Sequence, residues 1–311
     1  MIKTSLAECH SRIQPYIHKT AVISSRLINE MIGIDVVFKC ENFQKMGAFK
    51  MRGATNAIMQ LSETQKARGV VTHSSGNFAQ ALSLAASSLE IKAYIVMPNS
   101  APEVKVDAVK GYGGIISFCE PTIKARVQAS NQIIHETDAT FIHPSNDMNV
   151  ILGNGTACIE LLEDHPELDV VFVPIGGGGL IAGTALAAHY YGNNCEVIGG
   201  EPFEVDDAYR SLQNGKIEYN KTTNTIADGL KTHLGDINFP IIQNHVNRII
   251  RVEEFEIVSA MKLIYERLKI VIEPSSAVAF AALLKEKTAF KNKKVAVLIS
   301  GGNVNLNQLP F

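Results

Sequence analysis

The segment KCENFQKMGAFKMRGATNA, residues 39–57, places Lys50 between Phe49 and Met51, with glycine and alanine close by. A lysine with apolar neighbours has two interpretations. In the first, it begins a helix and its ammonium group reaches solvent along its own methylenes. In the second, it lies in an apolar slot, where desolvation lowers its pKa and makes the amine a nucleophile toward carbonyl groups. This segment alone favours the first interpretation, so the rest of the chain has to decide.

Four consecutive glycines, Gly176–Gly179, follow the apolar segment VVFVPI and precede LIAG. Backbone without Cβ atoms can approach an anion closely, and the N-terminus of a following helix adds a partial positive charge. The spacing differs from the GxxxxGK[ST] pattern of nucleotide-binding P-loops. Tight strand–helix packing would explain the glycines without a ligand, but a phosphate site is the interpretation that we favour.

Two further turns follow predicted strands. In VTHSSGNFAQALSLAA, the side chains of Ser74, Ser75 and Asn77 surround Gly76, and the backbone N–H groups there could bind a carboxylate. Ordinary N-capping of a helix by Ser75 or Asn77 is the alternative. The segment VLISGGNVN ends the last predicted strand at Ser300. The chain thus offers a lysine, a phosphate site, a carboxylate loop and a lone hydroxyl, each near a strand end or a helix start.

Short β-branched runs alternate with segments of helical length, which predicts an α/β fold with ligands at the carboxyl ends of parallel strands. The predicted strands are 35–39, 69–74, 92–97, 114–118, 139–143, 169–175, 196–200, 248–252 and 294–300. The predicted helices include 76–88, 102–111, 121–136, 149–163, 179–191, 254–268 and 276–286.

The composition is that of a globular protein: 311 residues, 46% hydrophobic and 19% charged, with a net charge of −2. No basic run suggests nucleic acid or a membrane surface, so small molecules are the expected partners. Residues 170–195 contain no Asp, Glu, Lys or Arg, yet Pro174 and the four glycines would break a spanning helix. We therefore expect no membrane segment there.

The five cysteines are scattered and form no CxxC pair, which argues against a disulfide framework and a zinc site. Such usage suits a reducing cytosol. The segment MIKTSLAECHSRIQPY has no apolar stretch typical of a signal peptide, so we expect a cytoplasmic protein.

Several ordered segments resemble the pyridoxal-phosphate-dependent serine/threonine dehydratase and serine racemase family, whose members have the fold called type II. These segments are ENFQKMGAFKMRGA, HSSGNFAQA, PIGGGGLIAG, EPFEVDDAY, TIADGLK, IEPSSA and LISGGN. The resemblance covers nearly the whole chain and is closest to the serine racemase branch. It implies helix-covered parallel sheets in two domains: a large one of residues 1–60 and 147–311, and a smaller one, 61–146, inserted in it.

The resemblance also implies roles for individual residues. Lys50 would form the Schiff base with pyridoxal phosphate and move the Cα proton, Phe49 would pack near the ring, and Asn77 would bond the 3′-oxygen. Ser300 would meet the pyridine nitrogen. A hydroxyl, unlike a carboxylate, does not stabilise a protonated pyridinium, so we expect a weaker electron sink, which elimination tolerates. The phosphate would be held by Gly176, Gly177, Gly178, Gly179 and Leu180.

The substrate carboxylate would meet the loop Ser74, Ser75, Gly76 and Asn77, with Ser75 on the cofactor face opposite the lysine. Two proton carriers on opposite faces allow racemisation, whereas one carrier and an activated β-hydroxyl allow dehydration. Arg126 matches a substrate-proximal arginine of the family, although an exposed helix arginine is the alternative.

The segment EPFEVDDAY matches the family's divalent-cation site, with Glu201, Asp207 and the carbonyl of Val205 as ligands. Oxygen ligands suit Mg²⁺, Mn²⁺ or Ca²⁺; without the resemblance, this acidic cluster would read as a solvated loop. Two departures concern the substrate pocket: Phe78 stands where the family usually has His, and Ser145 where the racemases usually have Asn.

The expected function is β-elimination from L-serine or L-threonine, giving a 2-oxo acid and ammonia. Serine racemase, alone or with both activities in one site, and a 3-hydroxyaspartate-type dehydratase are the alternatives. A catalytically silent cofactor-binding protein is a more distant one, and the presence of both Lys50 and Ser75 argues against it. The family implies a homodimer.

Overall fold

The computed structural model describes residues 2–311, and its strands form two sheets. The strands are β1 (Val22–Ser24), β2 (Asp35–Cys40), β3 (Val70–His73), β4 (Ala93–Pro98), β5 (Ile115–Cys119), β6 (Thr140–Phe141), β7 (Val170–Pro174), β8 (Glu196–Pro202), β9 (Arg248–Val252) and β10 (Lys294–Ile299). The larger sheet has the order β1-β2-β10-β7-β8-β9, and the smaller one β5-β4-β3-β6.

Helices surround both sheets. They are α1 (Ile2–Ile13), α2 (Arg26–Ile32), α3 (Lys50–Met59), α4 (Glu63–Arg68), α5 (Asn77–Ser88), α6 (Glu103–Gly111), α7 (Ile123–Thr137), α8 (Met148–Asp164), α9 (Gly179–Tyr191), α10 (Asp207–Asn214), α11 (Phe239–His245), α12 (Glu254–Leu268) and α13 (Pro274–Lys285). Within residues 2–311, no helix is both long and apolar enough to cross a bilayer.

All strand pairs are parallel except β1 with β2. Every residue of β7 is buried, because helices cover both faces of the sheet. The predicted fold class, parallel sheets covered by helices, is confirmed. The strands of the smaller sheet all come from residues 70–141, between β2 and β7 of the larger sheet. This span lies inside the predicted insertion 61–146, whose role as a separate domain stays a prediction.

The nine predicted strands all form, and β9, α9 and α12 begin and end at the predicted residues. Strand β1 and five helices, α1, α2, α4, α10 and α11, lie outside the predicted elements, whereas α3 begins at Lys50, as the first interpretation of that lysine required. Their apolar signal is short or sparse. Helix α1, for example, buries only Leu6, Cys9 and Ile13, and β1 has three residues.

Helix α3, which begins with Lys50, packs closely on α8. A Cβ atom at Gly153 of α8 would lie 2.5 Å from the carbonyl oxygen of Arg52 and 2.6 Å from Cα of Gly53. Real Cβ atoms do not come this close to backbone, so the glycine lets the two helices approach. The close contact fixes the position of the first turn of α3.

Four charged side chains are buried behind this turn: Lys39, Glu41, Arg52 and Glu160, here called the buried ion network. Arg52 Nε lies 2.7 Å from Glu41 Oε2, and Arg52 Nη1 lies 2.7 Å from Glu160 Oε1. Lys39 Nζ lies 2.6 Å from Glu160 Oε2. Burial alone would lower the pKa of Arg52, but the charges and hydrogen bonds of the two carboxylates outweigh it and raise that pKa.

Candidate active site

Lys50 lies where apolar and polar groups meet. Its Nζ donates a hydrogen bond to the carbonyl oxygen of Pro144 at 2.7 Å, and it lies 4.9 Å from the ring centroid of Phe49 and 5.6 Å from that of Phe78. Desolvation by this surrounding lowers the pKa of Lys50 to about 8, with Glu273 acting in the opposite direction. The side chain stays partly accessible. The geometry therefore favours the second interpretation, an amine available as a nucleophile.

The loop after β6 holds the Pro144 carbonyl in place through His143. The Nδ1 atom of His143 accepts hydrogen bonds from the backbone N–H groups of Ser145, at 3.2 Å, and Asn146, at 2.8 Å. Burial lowers the pKa of His143 to about 4, so the ring is neutral near pH 7 and Nδ1 can accept. A rigid loop thus presents one acceptor to the lysine amine.

The glycine run forms the turn between β7 and α9. Gly178 has φ +80°, and the first turn of α9 has no side-chain cap, so its N–H groups stay available to an anion. Asn238 Nδ2 ties this turn to the previous loop, donating to the carbonyl oxygens of Gly177 at 2.8 Å and Ser145 at 3.1 Å. A Cβ at Gly177 would lie 2.4 Å from Ser145 Oγ. Side chains in place of these glycines would fill the space beside the turn, so the glycines keep its backbone open to a ligand.

The serine loop leads into α5, which begins at Asn77. Its N-cap, Gly76, has extended backbone and no side chain caps the helix, so the alternative of ordinary N-capping by Ser75 or Asn77 is wrong. Ser74 Oγ accepts from Gly76 N at 3.3 Å. Within residues 2–311 the half-buried Ser75 hydroxyl makes no hydrogen bond. The uncapped N–H groups in the first turn of α5, beside the unbonded Ser75 hydroxyl, suit a carboxylate.

The Asn77 amide is held from two sides. Its Nδ2 donates to both carboxylate oxygens of Glu273, at 3.0 and 2.9 Å, and its Oδ1 accepts from Asn303 Nδ2 at 2.9 Å. Asn303 also donates to the carbonyl oxygen of Met46 at 2.9 Å, four residues before the lysine. The second N–H of Asn77 is left for a ligand. Burial raises the pKa of Glu273 to about 7, although the Asn77 hydrogen bond opposes this.

Ser300 follows β10 and is buried. Its carbonyl oxygen accepts from the backbone N–H of Phe49 at 3.0 Å, and its Oγ lies 2.9 Å from Oγ of Ser276 in α13. Ala48 forms a β-bridge with Gly301 at the same place. The last strand is therefore joined to the lysine segment. The glycine run, the serine loop and the turn after β10 thus converge on Lys50.

Sequence reasoning missed Glu273, Ser276, Asn303, Pro144 and Asn238. Glu273 and Ser276 lie in the quoted segment IEPSSA, where a carboxylate directly before a proline at a helix start was the available signal. Pro144 contributes a backbone carbonyl. Every residue has one, so no signal in the sequence marked this contact.

Phe78 and Arg126, two residues that the sequence placed at the substrate pocket, have surroundings that their residue types alone did not predict. Phe78 is almost fully buried, and its ring faces the lysine amine, so the departure from the family places an apolar group beside the reactive nitrogen. Arg126 is half-buried rather than exposed, and its Nε is buried without a partner among residues 2–311. Its contact with a substrate stays a prediction. Leu180 is buried in the first turn of α9.

The acidic segment that begins at the end of β8 is not a solvated loop, since Glu201, Val205 and Asp207 are all buried. Glu201 accepts from the N–H groups of Ala208 and Tyr209 at 2.9 and 2.8 Å. Burial, and next the charge of Asp207, raise its pKa well above the ordinary value, and burial raises that of Asp207 to about 6. In the described chain, no group of three or more His, Cys, Asp or Glu side chains could hold a metal. The predicted cation site, with two carboxylates and one carbonyl, stays a prediction.

Comparison with known proteins gives concordant matches. Residues 13–301 match the family described as pyridoxal-phosphate dependent enzyme. A serine racemase of Dictyostelium discoideum is 48% identical over 308 residues, 98% of this chain and 95% of the relative. A beta-hydroxyaspartate dehydratase of Paracoccus denitrificans (strain Pd 1222) is 47% identical over 302 residues, 97% of this chain and 96% of the relative. The crystal structure of a threonine deaminase from T.th. superposes with a TM-score of 0.92 and 37% identity, covering 97% of this chain and 98% of that one.

Proposed function

The chain belongs to the pyridoxal-phosphate-dependent enzyme family, among serine racemases and ammonia-lyases, and from this premise we propose that it dehydrates L-serine or L-threonine. The products would be a 2-oxo acid and ammonia. The observation that carries the proposal is the Lys50 amine, whose pKa of about 8 and single acceptor leave it able to exchange protons near neutral pH.

The residues present fit pyridoxal phosphate. When bound, the cofactor supplies an aldehyde that bonds amines and a conjugated ring that takes up the electron pair left at Cα. We assign its phosphate to the uncapped start of α9, its aldehyde to Lys50, its 3′-oxygen to the free N–H of Asn77 and its ring nitrogen to Ser300. Phe49 would pack near the ring.

The N–H groups, the lysine and the aromatic rings of the site then have separate roles in the reaction. The N–H groups at the start of α5, with Ser74 and Ser75, hold the substrate carboxylate. Lys50 Nζ removes the proton from Cα and afterwards delivers it to the β-hydroxyl oxygen, which leaves as water. The rings of Phe49 and Phe78 shield part of the amine from bulk water.

Serine racemisation is the second candidate, supported by the Dictyostelium relative and by the Ser75 hydroxyl, which has no partner within residues 2–311. In this function Ser75 must donate a proton to the face of Cα opposite Lys50 and remove one from D-serine. An unactivated hydroxyl is a weak acid and base, so this role requires a relay through water or the cofactor.

The variant Ser75→Ala separates the two candidates. Under racemisation, D-serine turnover and racemisation fall by ~10²–10⁴-fold, the usual contribution of a general acid or base, while L-serine elimination falls much less. Equal losses with both enantiomers would show that Ser75 only binds the substrate. Ser74→Ala is the matched control for general damage to the loop.

A third candidate is dehydration of a 3-hydroxyaspartate, whose second carboxylate needs a cation. The dehydratase relative and the buried, unpartnered Nε of Arg126 in the described chain support it. One panel tests all three candidates: L-serine, L-threonine, D-serine and 3-hydroxyaspartate, with oxo acid and enantiomer measured together. A holoenzyme that releases oxo acid from none of them, and racemises none, would contradict the proposal.

A divalent cation at Glu201, Asp207 and the Val205 carbonyl is part of the proposal. Two buried carboxylates with raised pKa values form a donor set that a cation neutralises. Binding would stabilise the folded state by mass action, so chelation should lower the melting temperature and Mg²⁺ or Ca²⁺ should restore it. If Asp207→Ala were as chelator-sensitive as the parent, the site would be elsewhere.

We also propose a reducing compartment such as the cytosol, because all five cysteines are free thiols. A homodimer is proposed as well, since the family resemblance implies one. Light scattering on the purified holoenzyme measures the assembly directly.

A further inference from the structure

Asn238 is a fully buried asparagine that joins two segments of the candidate site. Its Nδ2 donates to the carbonyl oxygen of Gly177 in the glycine run, at 2.8 Å, and to that of Ser145 in the loop after β6, at 3.1 Å. Its Oδ1 accepts from the backbone N–H of Gly235 at 3.1 Å. Two acceptors and one donor surround the amide, so only this orientation makes all three hydrogen bonds.

The two carbonyls that Asn238 holds belong to opposite ends of the proposed cofactor site. Gly177 lies in the glycine run, to which we assign the phosphate. Ser145 directly follows Pro144, whose carbonyl oxygen accepts from Lys50 Nζ at 2.7 Å. One side chain thus connects the glycine run with the loop that contacts the reactive amine. Because both of its N–H groups are already used, Asn238 has no donor left for a ligand and acts only through its neighbours.

Two glycines make room for the amides that form this connection. A Cβ at Gly178, where φ is +80°, would lie 2.8 Å from Oδ1 of Asn238, and a Cβ at Gly235 would lie 2.1 Å from Cγ of Asn146. The Oδ1 of Asn146 accepts from Ile237 N at 2.9 Å and from Asn238 N at 3.3 Å. Asn146 therefore holds the backbone that carries Asn238, and side chains at either glycine would displace these amides.

We propose that Asn238 is a positioning residue that fixes the spacing between the glycine run and Lys50 and so sets the affinity for pyridoxal phosphate. The inference rests on the proposed function, which assigns the two ends of the cofactor to these segments. A ligand bound at both ends gains affinity only if the two ends of its site are held at the matching distance, because the second contact is then intramolecular. A ligand bound at one end needs no such match.

The test compares three probes on the full-length apoprotein. 5′-Deoxypyridoxal has the aldehyde but no phosphate, inorganic phosphate has no aldehyde, and pyridoxal phosphate has both. Absorbance measures binding of the two aldehydes, and the ³¹P line width measures binding of inorganic phosphate. In Asn238→Ala we expect the dissociation constant of pyridoxal phosphate to rise by ~10-fold or more, and each of the other two to rise by less than ~3-fold.

Two further variants separate this effect from a general loss of stability. Asn238→Ser keeps one hydroxyl, which can donate to only one of the two carbonyls, and should give a loss between those of the parent and Asn238→Ala. It decides the question if Asn238→Ala does not fold. Asn247→Ala removes an exposed asparagine whose Oδ1 accepts from Val197 N at 2.9 Å, and should keep all three dissociation constants. If neither Asn238 variant folds, Asn238 supports the whole fold and the proposal is wrong.

Failure of the inference differs from failure of the proposed function. If either single-ended probe weakens as much as pyridoxal phosphate in Asn238→Ala, the residue acts on that end alone, and the spacing role is wrong. An unchanged dissociation constant for pyridoxal phosphate also overturns the inference, while the assignments of the glycine run and Lys50 stand. If the parent binds 5′-deoxypyridoxal as tightly as pyridoxal phosphate, the glycine run is not a phosphate site, and the cofactor assignment falls together with the inference.

Discussion

Lys50 and Arg52 lie two positions apart in the first turn of α3, yet their surroundings shift their pKa values in opposite directions. Desolvation acts on both cations and by itself lowers both pKa values. Arg52 has the carboxylates of Glu41 and Glu160 at hydrogen-bond distance, and its pKa is raised. Lys50 has two aromatic rings and a carbonyl, and its pKa falls to about 8.

The difference shows how one helix turn supplies both support and reactivity. The buried ion network satisfies the Arg52 guanidinium through Glu41 and through Glu160 of α8, and so fixes the turn. The lysine amine can then stay without a carboxylate partner and still occupy one place. Three changes test this difference: replacing the lysine, replacing the arginine, and removing the carboxylate near the lysine. Each should change activity, stability or the pH dependence of cofactor binding.

The largest effect is expected from Lys50→Ala, which removes the reactive member of the pair. Turnover of the best substrate should fall by at least ~10²–10⁴-fold, the contribution of the general base, and further because the covalent link to the cofactor is lost. The measurement is steady-state kinetics together with borohydride reduction and peptide mapping of the parent. Lys45→Ala, in the same segment, should keep the reduced adduct. An adduct mapped to another lysine in the parent would refute the assignment.

The next effect is expected from Arg52→Met, which leaves Glu41 buried without its cation and Glu160 with Lys39 alone. Breaking a buried ion pair in this way costs about 3–5 kcal/mol of the free energy of unfolding. Denaturant titration of the apoprotein measures it. The matched control is Arg26→Met, which removes an exposed pair with Glu30 and should change stability by only ~0–1 kcal/mol. Equal losses in the two variants would mean that the network does not hold the turn.

The smallest effect concerns Glu273→Gln, which removes the carboxylate that raises the pKa of Lys50. The free amine bonds the aldehyde, so the rate of cofactor binding to the apoprotein rises as pH increases through about 8 in the parent. Without the negative charge the midpoint should move to lower pH by up to ~1 unit, equivalent to ~1.4 kcal/mol. Stopped-flow absorbance across pH measures the shift.

The other charged groups near Glu273 are Asp228 and Lys105, which form an ion pair with each other. Asp228→Asn is therefore the control, since it changes the charge beside Glu273 and should leave the lysine midpoint in place. A Glu273→Gln midpoint equal to that of the parent would show that the carboxylate only orients Asn77.

The reactive half of this comparison was visible in the sequence and the supporting half was not. The apolar neighbours of Lys50 and the four consecutive glycines singled out both segments, and the order of the motifs along the chain, rather than the lysine segment alone, gave Lys50 its predicted role. Arg52 and Lys39 read as ordinary charges, since a sequence states charge but not burial, and their partner Glu160 is more than one hundred positions away.

The same limit applies within the candidate site. The positions of nine strands and seven helices followed from periodicity, so the carboxyl ends of β3, β7 and β10 could be predicted as the edge where ligands bind. The Ser300 hydroxyl contacts that of Ser276, and the orientation of the Asn77 amide depends on Glu273. Both partners come from another segment that only the folded chain brings into contact.

The buried ion network constrains how this chain can change over evolutionary time. Its two cations and two carboxylates balance, so any single neutral replacement leaves one unmatched charge in the core. Joint replacement by apolar residues of similar volume is often neutral or stabilising for such networks. Substitutions at these four positions are therefore strongly epistatic. The route between a charged and an apolar version runs through intermediates that selection removes, and lineages are expected to keep all four residues or to exchange them together.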